Sequence, residues 1–176
     1  FMGNEFGHPE WIDFPREENG WSYYHARRQW SLRDDPNLRF KALADFDEEV
    51  MKMAGRTEDV RRKTRGRSLV SCLMSSSPVL LLSNELDKVL AFARGDRIFV
   101  FNFNPTQSFA DYGILVPPAT KWRHLFDTDE ARFGGQGRIA AGQRFEPALV
   151  PDRGELVQQI RLYLPARTAI VLQRIF

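Results

Sequence analysis

From about Glu85 to Phe176 the chain repeats one pattern, a short aliphatic and aromatic run followed by Gly, Pro or Asp, and this constrains the fold most. Lys88 to Ala93 and Arg97 to Phe103 are two such runs separated by Gly95-Asp96, the signature of a tight hairpin. Further strands are expected at Tyr112 to Val116, Lys121 to Asp127, Val157 to Leu164 and Thr168 to Arg174. Side chains alternate across a strand, so Val157, Gln159, Arg161 and Tyr163 share one face. Gln158, Ile160, Leu162 and Leu164 share the other, which is the core side because its members are mostly apolar. Short strands separated by turn residues point to an antiparallel sandwich.

The first third reads differently. Phe1, Met2 and Phe6 look like the end of a strand. Ser22 is placed to cap a helix with Tyr23, Ala26 and Trp30 on one face, ended by Asp34-Asp35-Pro36. A second helix is expected from Asp35 as N-cap and Pro36 in the first turn, with a core stripe of Leu43, Phe46, Val50 and Met53. Ala54 to Asn84 keeps neither helical nor strand period and is read as a loop with at most one short element.

Charge and cysteine usage narrow the function classes. The net charge of +2 hides a basic run between Gly55 and Arg67, where Arg56, Arg61, Arg62, Lys63, Arg65 and Arg67 meet only Glu58 and Asp59. This run carries +4 and leaves −2 for the remainder. Nucleic-acid binding usually also brings a recognised fold or an aromatic stacking platform, so no nucleic-acid partner is expected and the run is read as a solvated linker. A single cysteine, Cys72, excludes an internal disulfide and fits a reducing compartment. No membrane association is expected: Pro78 to Leu82 and Thr168 to Leu172 fall far short of the roughly 20 apolar residues that cross a bilayer.

The first sixteen residues concentrate polar chemistry beside an aromatic. Glu5, His8, Glu10, Trp11, Asp13 and Arg16 follow one another within a loop, and Gly3 and Gly7 permit close backbone approach. An aromatic face packs on the apolar C–H face of a pyranose, while carboxylates and an Arg hydrogen-bond its hydroxyls. These six residues are therefore candidate carbohydrate-binding groups. A purely structural role, bracing neighbouring loops, remains open for His8, Glu10, Trp11 and Asp13, as does a surface pair between Arg16 and Glu17 or Asp13. A metal is not expected, because His8, His25 and His124 lack close ligand spacing. Phe133-Gly-Gly-Gln-Gly137 has no following Lys-Ser/Thr and reads as a turn rather than a phosphate loop. Trp122 and Phe126, at strand alternation, are read as core in preference to an exposed sugar platform.

Gly3-Asn-Glu-Phe-Gly-His-Pro-Glu-Trp11 resembles the last barrel strand and following loop of the 1,4-alpha-glucan branching enzymes of the alpha-amylase superfamily. The resemblance continues through Trp21 to Leu32, Asp45-Phe46-Asp47, Asp87 to Phe92, Phe99 to Asn104, Phe109 to Gly113, Phe133-Gly-Gly135 and Leu164 to Ala169, and it fails between about Gly55 and Asn84. It implies an α+β fragment: the last β/α unit of a (β/α)8 barrel over residues 1–54, a linker or insertion over 55–84, and an all-β antiparallel sandwich over 85–176. A complete barrel takes about 250 residues, so 176 cannot hold one, and the chain is expected to continue upstream of Phe1. The implied reaction cleaves an alpha-1,4 glucan and transfers the chain to a 6-hydroxyl, retaining and without cofactor, in the cytoplasm. Its catalytic carboxylates are expected upstream of Phe1, on the rest of the barrel, leaving this segment a substrate-groove loop. Two alternatives stand beside it: a non-catalytic β module that binds glucan or a protein partner, and another hydrolase of the same superfamily.

Overall fold

The structure, a computed structural model, describes residues 3–63, 77–119 and 121–175. It divides into two compact units, one of Phe1–Glu58 with Arg132–Gly134, the other of Asp59–Ala131 with Gly135–Phe176.

In the first unit, Asn4–Phe6 forms a single tight helical turn bracketed by Gly3 (φ 95°) and Gly7 (φ 69°), both left-handed. The strand expected there is absent among the described residues. A strand needs a neighbour to take its backbone hydrogen bonds. Here those bonds close locally, His8 N–H on the Gly3 carbonyl at 2.9 Å and Gly7 N–H on that of Asn4 at 3.1 Å. Phe6 is fully buried against Trp30 and His8, with ring centroids 5.1 and 5.7 Å away.

The helix expected from Ser22 is also absent; only α1, Ser31–Asp34, forms. Local bonds outcompete helical ones: the Ser22 hydroxyl accepts the Tyr24 N–H, Trp21 is left-handed at φ 57°, and the Gln29 N–H goes to His8 Nε2. The second helix, α2, spans Phe40–Lys63 rather than starting at Pro36. Asp35 spends its carboxylate on the Asn37 N–H and its carbonyl on that of Leu38, a turn that delays helical winding. Of the expected stripe, Phe46, Val50 and Met53 are half-buried, but Leu43 is exposed and Ala44 is the buried position. Phe46 meets Phe133 edge-on at 5.4 Å within this unit. Because α2 continues to Lys63, the start of the expected linker is helix. Cys72 and the end of the basic run lie outside the described residues.

The second unit is the sandwich. Its strands are β1 (Val79–Asn84), β2 (Val89–Arg94), β3 (Arg97–Asn102), β4 (Phe109–Leu115), β5 (Lys121–Asp127), β6 (Arg144–Phe145), β7 (Ala148–Asp152), β8 (Glu155–Leu164) and β9 (Thr168–Ile175). One sheet runs β1-β2-β3-β9-β5-β6 and the other β4-β8-β7, every pairing antiparallel. The β2–β3 hairpin turns at Gly95-Asp96 with Gly95 at φ 62°, as the sequence indicates. β6 and β7 are not among the expected strands, and β1 is a short element, allowed but not placed by the sequence, within the segment read as linker.

Alternation places Val89, Ala91, Ile98, Val100, Trp122, Ile170 and Leu172 of the large sheet against Ile114, Ile160, Leu162 and Leu164 of the small one. Trp122 and Phe126 are both buried, as expected for core aromatics. At one end of the sandwich, buried Asn102 points its amide nitrogen at the carbonyls of Gln107, Leu164 and Pro165 and accepts the Asn104 N–H. One side chain thus ties the β3–β4 crossover to the β8–β9 crossover. In the β5–β6 connection, the Arg138 guanidinium forks onto Asp129 at 2.8 and 3.0 Å and holds its carboxyl below the usual carboxylate range.

Candidate substrate-binding loop

Glycine sets the course of the N-terminal loop and a polar network fixes it. Glu5 folds back to accept the Gly3 N–H at 2.9 Å. His8 is held on both sides, its Nε2 accepting the Gln29 N–H at 3.1 Å. Its Nδ1 stands 3.1 Å from the Glu10 N–H and 3.2 Å from the Glu10 carbonyl, so the ring is seated on the Glu10 backbone. The same carbonyl takes Arg28 Nη1 at 2.8 Å, and the Glu10 carboxylate accepts the Gln29 amide at 3.0 Å. His8 and Glu10 therefore brace the Pro9–Gln29 region. Asp13 pairs with Arg16 at 3.1 Å and accepts the Asn19 amide at 3.1 Å; of the two partners weighed for Arg16, Asp13 is the one it takes.

The Trp11 carbonyl also accepts Arg28 Nη1 at 3.4 Å, but the Trp11 ring stands apart from this network. Trp11 is 66% exposed, with one flank on His25 at a centroid distance of 5.8 Å. Tyr24 meets His25 edge-on at 4.6 Å and is itself 67% exposed. Trp21, Tyr23 and Phe14 are exposed in the same stretch. The candidate residues thus divide by role: Glu5, His8, Glu10 and Asp13 shape the backbone, and Trp11 presents an open ring face.

His25 is the residue that sequence reasoning missed. Falling within the helix expected from Ser22, it instead lies between Trp11 and Tyr24 in an irregular segment, and its carbonyl accepts the Asp13 N–H. Its Nδ1 is buried with no hydrogen-bond partner among the described residues. The one signal available was its placement beside Tyr24 in an aromatic-rich stretch.

A second polar cluster lies in the sandwich. His124, Asp127 and Glu130 bring one nitrogen and two carboxylates within 4.8 Å of one another, a grouping that the His spacing did not disclose because β5 ends in a turn there. The cluster bonds internally: His124 Nε2 meets Asp127 Oδ2 at 2.7 Å, and Glu130 accepts the Asp127 N–H at 3.2 Å. The Gly142 N–H directed at His124 Nδ1 leaves the ring proton on Nε2, donated to Asp127. These donors have the chemistry to hold a divalent cation, but each is already satisfied by the next.

Residues 81–175 match the family described as the alpha amylase, C-terminal all-beta domain, over the stretch from β1 to β9. The chain belongs to that family. Relatives extend the likeness to the N-terminal loop: a protein of Candida glabrata named 1,4-alpha-glucan-branching enzyme is 42% identical over 99% of this chain. The protein of that name from Equus caballus is 37% identical over 99%, and the chloroplastic/amyloplastic one from Oryza sativa subsp. japonica is 45% identical over 79%. The chain spans about a quarter of the length of the Candida glabrata and Equus caballus proteins, 23% of each, and its match covers 15% of the Oryza sativa one. Among the described residues no helix is long and apolar enough to cross a membrane.

Proposed function

We propose that this chain is the C-terminal part of a cytoplasmic 1,4-alpha-glucan branching enzyme. The whole protein cleaves an alpha-1,4 glucan and rejoins the released chain to a 6-hydroxyl. The observation that carries this reading is identity near 40% to proteins of that name across both units of the chain, the N-terminal loop as well as the sandwich. A retaining transfer needs a carboxylate nucleophile and a carboxylic acid about 5–5.5 Å apart. The acids of the loop do other work: Glu5 and Glu10 are tied to Gly3 and Gln29, and Asp13 to Arg16. The resemblance to branching enzymes implies that the catalytic pair lies on a barrel upstream, of which residues 1–54 form the end.

In that assembly the exposed Trp11 ring stacks on a glucose unit of the bound chain, with Tyr24 and His25 beside it and Arg16 at the margin. Hydroxyl-rich chains are held by stacking on an apolar ring face more than by burial. The test is the protein carrying this segment together with its upstream barrel, assayed with amylose for new alpha-1,6 linkages. Release of reducing ends without such linkages would move the assignment to a hydrolase of the same superfamily.

A further inference from the structure

Where the chain leaves β6 and passes through Glu146 and Pro147 to β7, a cleft of ≈ 310 Å³ opens at the edges of the sandwich. Phe145 and Val150 supply apolar wall, while Arg144, Glu146, Gln159 and Arg161 supply polar groups. Glu146 pairs with Lys121 at 2.6 Å, which holds its carboxyl below the usual range. Arg161 pairs with Asp111 at 2.7 Å, but both side chains are more than half exposed, so water competes for the pair and it is easily exchanged. Arg144 has no side-chain partner among the described residues. It lies directly opposite Arg123 in the β5–β6 ladder, and Arg123 spends its guanidinium on the neutral amide of Gln173 at 2.7 Å.

Two like charges facing each other across a strand pair oppose folding, and among the described residues no carboxylate bonds either guanidinium. The Gln159 amide lines the same cleft and packs over Gly113, where an added Cβ would stand 2.8 Å from its Nε2 and make the amide shift. Two guanidiniums and an amide around an apolar wall match an oxyanion that can be gripped at two edges. The volume lies at the small end of ligand sites, roughly 300–1,000 Å³, too small for a polymer segment and ample for a small ester.

We propose that this cleft binds a small phosphate ester, with Arg144 and Arg161 on the phosphate oxygens and Gln159 and Phe145 against the organic body. Asp111 is then the ligand's competitor for Arg161, and binding displaces that ion pair.

The test is calorimetric titration of the chain with glucose 6-phosphate, inorganic phosphate and, as a neutral comparison, maltose, each to millimolar concentrations. Saturable binding of both phosphates, glucose 6-phosphate at least as tightly, is expected. Arg144→Gln should weaken it at least tenfold without lowering the melting temperature, because the side chain is exposed. Asp111→Asn should tighten it severalfold by releasing Arg161, an outcome that loss of structure cannot mimic. Arg94→Gln, removing an exposed cation on β2, separated from β6 by β3, β9 and β5, should change nothing. Absence of saturable phosphate binding, equal weakening by Arg94→Gln, or binding of maltose in place of phosphate would each overturn the proposal.

Discussion

Trp11→Ala in the full-length protein separates the glucan-stacking role of the loop from a structural one. Trp11 keeps only about a third of its surface covered, mainly against His25, so truncation should cost folding roughly a third of the ~3 kcal/mol that full burial of a large apolar side chain contributes. That is about 1 kcal/mol. Phe6, fully buried in the same unit, provides the internal standard: Phe6→Ala should cost about 3–5 kcal/mol. Loss of a ring stacked on glucose removes on the order of 1 kcal/mol of binding, roughly fivefold in kcat/KM toward amylose. Both variants should be followed by urea denaturation and by branching rate against amylose concentration, with activity scaled to the folded fraction. Trp11→Ala with unchanged kcat/KM and a stability loss matching Phe6→Ala would refute the stacking argument.

The chain alone should release no reducing ends and form no alpha-1,6 linkages from amylose; turnover above a buffer control would return catalysis to its own residues. Asn102→Ala should destabilise the sandwich by about 2–3 kcal/mol in urea, because the buried Leu164 and Pro165 carbonyls and the buried Asn104 N–H lose their partner together. Gly135→Ala should lose at least about 1–3 kcal/mol by the same measurement, since a Cβ there would stand 2.2 Å from the Asp129 carbonyl. Asp129 has its pKa lowered on folding, chiefly by the hydrogen bond from Arg138. Its contribution is therefore present above the unfolded value of about 3.9 and lost as pH falls through the folded one, so the stability gap between the parent chain and Asp129→Asn should shrink on acidification below about pH 4.

What the sequence disclosed depended on whether a period was visible. β5 was read to its observed ends and β8 and β9 nearly so, because alternation over seven or more residues fixes both strand and face; the buried Ile160, Leu162 and Leu164 are the side expected. β1 was not placed because Val79-Leu-Leu-Leu82 is continuously apolar and shows no alternation. β6 is two residues long, and β7 contains Pro151, a residue tolerated only because β7 lies at a sheet edge. The first unit misled for another reason. A strand and a helix were inferred from residues whose backbone groups instead find side-chain partners, His8 for Gln29 and Ser22 for Tyr24, and such partnerships leave no periodic trace. In the candidate loop the six residues were legible by type, but their division into braces and an open ring was not. His25 was hidden by the mistaken helix.

The order β1-β2-β3-β9-β5-β6 has a consequence for biosynthesis. β9 comes last along the chain yet lies in the interior of its sheet, between β3 and β5. As the polypeptide leaves the ribosome, β1–β3 and β5–β6 wait as two half-sheets, each presenting a raw hydrogen-bonding edge until Thr168–Ile175 arrives. Closure of the sandwich is thus deferred to the final strand, and a stop codon before Thr168 would yield a translation product with two adhesive edges rather than a slightly shortened domain. Such a product is a client for chaperones and proteases, so nonsense changes late in this region should act through loss of the protein and not through altered chemistry.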